Sequence, residues 1–154
     1  MELLKNVWQA ILPSELYNNT MGGLVDAISL DMIKKITAME DISTVLCTGL
    51  VELIKTTDEK CQALFEADIN VRDVSTSWEK LINLQFILDA SLVDIQAAWK
   101  EGRLPKNFKP DEVKRLVRAL FQNTERRANC LQTIVWIFFF LELFAVILMC
   151  AKNK

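Results

Sequence analysis

Apolar residues recur along this chain with a period of three to four, and the places where that period stops divide it into helices. Leu4, Val7, Trp8 and Ile11 fall at i, i+3, i+4, i+7 and the pattern ends at Pro13, which reads as the end of a longer helix. Tyr17, Met21, Leu24, Val25, Ile28, Met32, Ile36 and Met39 then line one face of a long amphipathic helix, with Lys34 and Lys35 near its end, where the helix dipole favours cations. Gly22 and Gly23 lie inside it at about 1 kcal/mol each relative to Ala, so either the helix bends there or a neighbouring backbone packs close, the second being the preferred expectation. Glu40, Asp41 and Ser43 form a polar connection. Ser43 or Thr44 is placed to cap a third helix with Leu46, Leu50, Leu53, Ile54, Cys61, Leu64 and Phe65 on one face, giving a tight helix-turn-helix.

The period is lost from Glu66 to Ser75 and resumes at Thr76, which with Glu79 spells a capping box. The helix it predicts carries Trp78, Leu81, Ile82, Leu88, Leu92, Ile95 and Trp99 to a stop at Gly102. After a loop from Arg103 to Lys109, Pro110 at the first helical position, followed by Asp111 and Glu112, opens a fifth helix. Its core face is Val113, Leu116, Val117, Leu120, Phe121 and Thr124, and the pattern runs as a basic amphipathic helix to Ala128 and on into an almost wholly apolar stretch, Leu131 to Ala151. No period-two alternation survives, so the expected fold is all-α: an antiparallel helical bundle with a C-terminal hydrophobic, candidate transmembrane helix. The expected division is a bundle over residues 1–129 and a separate apolar segment over 131–151.

Composition narrows the chemistry. The chain has 154 residues, one domain's worth, with 18 basic and 20 acidic residues for a net charge of −2, which does not select nucleic acid as a partner. Histidine is absent and no Gly-rich phosphate loop is present, so no catalytic residue, metal ligand, cofactor or small-molecule substrate is expected and an enzyme is left without a candidate site. Cys47, Cys61, Cys130 and Cys150 show no C-x-x-C spacing and no secretory signal precedes them; they read as reduced cytosolic thiols, with Cys61 continuing an apolar stripe. Trp8, Trp78 and Trp99 fall on apolar stripes and are expected in the core. Lys114, Arg115, Arg118, Arg126 and Arg127 lie mostly off the stripe. They form either a contact surface for an acidic partner face or a solvated helix face with local pairs such as Glu112 to Arg115.

The string Arg118-Ala-Leu-Phe-Gln-Asn-Thr-Glu-Arg-Arg127-Ala128 resembles the C-terminal signature of the zeste-white-ten family. Other stretches agree in order: Val7-Trp8 before Leu12-Pro13, Met21-Gly22, Ala38-Met-Glu-Asp-Ile-Ser43, Ala90-Ser91-Leu92 with Ile95 and Trp99, and Phe108 ahead of Glu112-Val113. The resemblance spans Leu3 to Ala128 and is weakest from Glu66 to Ser75. It implies stacked helical bundles in elongated rods, and a subunit shared between a kinetochore Rod–Zwilch complex of the mitotic checkpoint and an endoplasmic-reticulum tethering complex in Golgi-to-ER transport. It further implies that Met1 corresponds to a position far inside relatives, that the part engaging their other tethering partner is absent, and that the remaining bundle contacts a large Rod-like or Sec39-like helical subunit. The implied location is cytoplasmic, at kinetochores and the periphery of the ER membrane.

The apolar stretch departs from that family. Its Leu, Ile, Val and Phe residues contribute about −4 to −8 kcal/mol on an insertion scale against about +3 kcal/mol for a central charge such as Glu142, so residues 131–151 are expected to insert in a membrane. With Lys152 to Lys154 beyond it, the segment reads as a tail anchor holding a cytosolic helical domain. Arg126 and Arg127 agree with the positive-inside tendency, while Lys152 and Lys154 weaken it. Two expectations compete with the anchor: a buried core helix, though so many apolar residues all round it need lipid or a large partner to cover them, and a read-through or alternative exon that supplies this ending.

Overall fold

The computed structural model describes residues 2–135, which form eight helices and no strand. Helix α1 (Glu2–Ile11) ends ahead of Pro13, whose ring cannot continue it, and α2 (Ser14–Thr37) restarts behind that proline. α2 buries Tyr17, Met21, Val25, Ile33 and Ile36, with the small Ser29 completing the row. Leu24, expected on this face, stands 37% exposed, and Lys34 and Lys35 occupy the last turn. The two glycines separate cleanly. A Cβ on Gly22 would lie 2.5 Å from the carbonyl oxygen of Val74, so a backbone does approach there, whereas one on Gly23 would meet nothing within 4 Å.

In the link after α2, Met39 lies against the core and Ile42 is buried and donates its N–H to the Ala119 carbonyl, while Glu40, Asp41 and Ser43 are exposed. α3 (Thr44–Gln62) starts on Ser43, whose hydroxyl accepts the Leu46 N–H at 3.3 Å. Its buried row is Leu50, Val51, Ile54 and Cys61, and Leu64 and Phe65 extend the core past its end. Leu46 and Leu53, expected in that row, are 42% and 52% exposed.

The stretch without a period contains a single turn, α4 (Val71–Val74), capped by the Asn70 side chain on the Arg72 N–H. The helix expected from Thr76 to Gly102 is two: α5 (Trp78–Asp89) and α6 (Leu92–Lys100). Ser91 and Asp94 make a complete capping box there, and the extended backbone at Ala90 and Ser91 turns the chain between the two helices. The Thr76–Glu79 box is not formed, because the Thr76 hydroxyl points to Asp26 on α2. Gly102 stops α6 with φ +80°, a conformation that favours glycine.

Pro110 takes the first position of α7 (Pro110–Leu120) as expected. The continuous helix to Ala128 is not present: Phe121 is extended and Thr124, expected on the core face, instead caps α8 (Glu125–Thr133) through the Arg127 N–H. Val113, Leu116 and Val117 are fully buried, while Leu120 and Phe121 are half-buried at the edge of the core.

α5 is the central helix. α2 and α3, consecutive in the chain, each pack chiefly against α5 rather than against one another. α3 runs antiparallel to it, with the Cys47 thiol on the Leu88 carbonyl at one end and the Trp78 indole N–H on Asp58 at the other. The second main pair, α6 and α8, runs parallel, contrary to a uniformly antiparallel bundle: Leu92 meets Cys130, Gln96 meets Thr133 and Trp99 meets Val135 in ascending order. The first residues of the apolar stretch belong to this packing. Ile134 is fully buried, Leu131 lies against the core, and the Trp99 indole N–H donates to the Val135 carbonyl at 3.2 Å. Among the described residues no helix is long and apolar enough to cross a membrane. The rest of the expected segment, from residue 136 to residue 151, lies outside the described residues, as does Cys150.

Candidate interaction surface

The five basic residues singled out on α7 and α8 do different things. Arg115, Arg118 and Arg126 are exposed and Lys114 is half-buried. Arg127 turns back on the preceding helix: its guanidinium donates to the Phe121 carbonyl at 2.8 Å and more weakly to the Arg118 carbonyl, capping the last turn of α7. Its Nε is buried without an acceptor among the described residues. Arg127 therefore holds the α7–α8 corner and presents little charge outward. The expected local pair of Glu112 with Arg115 is replaced by a longer-range one. Glu112 accepts from Lys80 on α5 at 2.8 Å and from the Lys109 N–H, and Lys80 also lies over the Phe108 ring. Burial raises the Glu112 pKa, but these hydrogen bonds and neighbouring cations outweigh it and hold the carboxyl below its ordinary value.

A second surface was hidden in the apolar pattern. Val45, Gly49, Leu53 and Leu46 cover an arc of about 100° on α3 beside its buried face, and Val45 is 84% exposed. Gly49 at the centre of the arc has open space before it, so a partner's side chain or backbone can approach closely. The sequence signal was available: Val45, Leu46, Leu50 and Val51 are more apolar residues than one helix face can bury. A smaller exposed apolar group, Val7, Ile11 and Leu16, lies around the α1–α2 corner.

On α2, Asp26 fastens the loop before α5. Its carboxylate accepts from the Ser77 N–H at 2.9 Å, from the Ser75 and Ser77 hydroxyls, each at 2.8 Å, and from the Thr76 hydroxyl. Burial alone would raise the Asp26 pKa; the hydrogen bonds overcome it and the carboxyl titrates below its ordinary value. An open cleft of about 640 Å³ lies between the end of α3 and α4, with Asp58, Glu59 and Glu66 at its edge and Phe65 and Trp78 behind. α1 is tied near that edge by the Lys5 ammonium on the Ala63 carbonyl.

The thiols of Cys61 and Cys130 are buried and that of Cys47 half-buried; burial pushes all three thiols up, away from the reactive thiolate, and Cys61 sits in the core as its stripe implied. Trp78 and Trp99 are also core residues, each with its indole N–H satisfied. Among the described residues no acidic or thiol side chains are grouped as a metal cage.

The described residues form a small helical bundle that exposes apolar residues on α3 and basic residues on α7 and α8, the kind of surface found at protein-interaction sites. The particular family follows from comparison with known proteins: residues 1–134 match the model of the ZW10 C-terminal helical domain, and the chain belongs to that family. It is 40% identical over 137 residues to the centromere/kinetochore protein zw10 of Drosophila pseudoobscura pseudoobscura, covering 88% of this chain and 19% of that protein. The Drosophila melanogaster protein of the same name is 38% identical over the same shares. The zw10 homolog of Rattus norvegicus is 38% identical over 142 residues, covering 83% of this chain and 18% of that protein. The chain thus spans about a fifth of the length of these relatives.

Proposed function

We propose that this chain is a non-catalytic interaction subunit that performs the task of the C-terminal bundle in centromere/kinetochore proteins of the zw10 family. The observation that carries the reading is the family match, which runs through the whole described bundle and includes the residues that build the α7–α8 corner. On this reading it scaffolds a Rod–Zwilch-type kinetochore complex in the mitotic checkpoint. It also serves an ER tethering complex in Golgi-to-ER transport. The partner is a large Rod-like or Sec39-like helical subunit, and the location is cytoplasmic, at kinetochores and the ER membrane periphery. The exposed face of α3 supplies the apolar area such a helical partner would cover, and Arg115, Arg118 and Arg126, with Lys114 beside them, supply the charge that steers it. Arg127 and the core residues Val113, Leu116, Val117, Leu120 and Phe121 act behind that surface by holding α7 and α8 in place.

The test is co-purification with the Rod-like partner. Arg118→Glu combined with Arg126→Glu weakens association, and so does Leu53→Asp on α3, while the helical content of each variant stays as in the parent. Unchanged co-purification of the charge-reversed variant removes the α7–α8 surface from the reading.

The composition of residues 136–151 favours a second reading, a tail-anchored membrane protein with a cytosolic helical domain. Bundle and bilayer compete for the start of that segment. With Leu131 and Ile134 packed on the core, a helix over residues 136–151 would be about 24 Å long against a hydrocarbon core of about 30 Å. This shortfall supports the interaction reading over the anchored one. Alkaline extraction separates them: an inserted chain stays with the lipid, and a chain held by protein contacts is released.

A further inference from the structure

The Thr76-x-x-Glu79 pattern is a sequence motif that the fold does not use as a cap. Its capping box is unformed and both side chains are exposed, while Ser75 and Ser77 on either side of Thr76 are buried. All three hydroxyls converge on the same Asp26 oxygen, which already takes the Ser77 N–H. Three hydroxyls and one N–H within reach exceed what one carboxylate oxygen can bind well; the Ser77 hydroxyl, with one proton, also lies against the Ser29 hydroxyl, and Thr76, at 3.3 Å, is the longest of the four contacts. Thr76 therefore contributes least to the latch and is the most accessible part of it. A hydroxyl with a glutamate three residues later is also the arrangement that acidophilic Ser/Thr protein kinases accept, because a basic groove in the kinase binds that carboxylate.

We propose that Thr76 is a phosphorylation site for an acidophilic protein kinase and that its phosphate releases the loop between α4 and α5 from α2. The Thr76 Oγ1 attacks the γ-phosphorus of ATP, an O–P bond forms as the bond to the bridging oxygen breaks, the hydroxyl proton leaves to a base of the kinase, and ADP departs. The ester oxygen has no proton to donate, so the bond to Asp26 is lost, and about 1.5 to 2 negative charges are set beside an ionised carboxylate. The start of α5 would otherwise attract a phosphate. Here the Ser77 N–H is already given to Asp26; the uncapped Trp78, Glu79 and Lys80 N–H groups offer about half a positive charge, against the full charge of Asp26 and of Asp73 and Glu79, which outnumber Arg72 in the flanking sequence, and the Lys80 ammonium is engaged by Glu112. Repulsion prevails. The loop lifts where it is most tightly seated, at the Val74 carbonyl over Gly22.

The test treats the full chain with ATP and an acidophilic kinase of the casein-kinase type, then locates phosphate by fragmentation mass spectrometry and follows amide hydrogen exchange. One phosphate on Thr76, absent from Thr76→Ala, is expected. Phosphorylation should speed exchange at residues 71–77 by about tenfold while the interiors of α3 and α5 are unchanged. Thr76→Ala without phosphate, which removes only the weak fourth bond, leaves exchange as in the parent. In Asp26→Asn, which lacks the repelling charge, phosphorylation leaves the exchange rates of that variant unchanged. Phosphate found only on other residues overturns the proposal, and so does phosphate on Thr76 with exchange at 71–77 unchanged or slowed.

Discussion

Gly22 and Gly23 are adjacent, both lie inside α2, and replacing each by alanine should move stability in opposite directions. In a helix interior the exchange of glycine for alanine is favourable by about 1 kcal/mol, because glycine loses more backbone freedom on folding. At Gly23 nothing opposes that gain, since the new methyl would meet no atom within 4 Å. Gly23→Ala should therefore stabilise by about 0.5–1 kcal/mol. At Gly22 the methyl would sit 2.5 Å from the Val74 carbonyl oxygen and 3.0 Å from the Val74 Cβ. The nearest atom is backbone, so α4 itself must move by about 1 Å to restore contact distance. That movement pulls at the Ser75 and Ser77 hydrogen bonds to Asp26, which follow Val74 directly. Overpacking of this kind costs about 1–3 kcal/mol, which exceeds the propensity gain, and a net destabilisation of about 1 kcal/mol results. The two variants should then differ by about 2 kcal/mol, or roughly 4–8 °C in thermal midpoint for a chain of this size. Far-UV circular dichroism melts of both variants beside the parent, repeated in urea, measure it. A Gly22→Ala protein that melts above the parent would refute the reasoning, because Val74 would then be free to yield.

Three further outcomes follow from the same contacts. Asp26 has its folded pKa below its unfolded value, so its stabilisation is present above about pH 4 and is lost as pH falls through the folded pKa. Urea midpoints of the parent should therefore drop more steeply in that acid range than those of Asp26→Asn, and parallel curves would contradict the assignment. Leu116→Ala should cost about 2–5 kcal/mol because that side chain is fully buried, whereas Leu120→Ala and Phe121→Ala, at the half-buried edge, should each cost visibly less in the same melts. Arg127→Ala should lower stability by about 1.5–3 kcal/mol through the lost charged hydrogen bonds at the corner, while Arg118→Ala and Arg126→Ala, both exposed, stay within about 0.5 kcal/mol of the parent. Equal effects at the three arginines would mean that Arg127 does not hold α7 to α8.

What was legible in the sequence is what local physics decides. Pro13 and Pro110 lack an N–H, Gly102 accepts positive φ and Ser43 offers a cap, so these four residues mark helix ends whatever surrounds them. Apolar spacing likewise foretold the buried Tyr17, Met21, Ile54, Trp78, Trp99 and Val113. The resemblance in residues 118–128 was equally legible, although the helix drawn through them was not present. Where a helix stops without proline or glycine was decided only in three dimensions. Ser91 and Thr124 could each have continued a helix, and a side-chain cap is worth only about 1 kcal/mol, close to the cost of interrupting one. Burial broke that tie: turning at Ala90 lets α6 lie along α8, and turning at Phe121 lets Arg127 close the corner. Tertiary structure also decided which of the apolar residues on α3 face inward, which of two neighbouring glycines is crowded, and that the apolar stretch begins inside the bundle at Leu131 and Ile134. Periodicity is a property of a single helix and reports that a face is apolar, whereas the surface that covers it comes from residues far away in the chain.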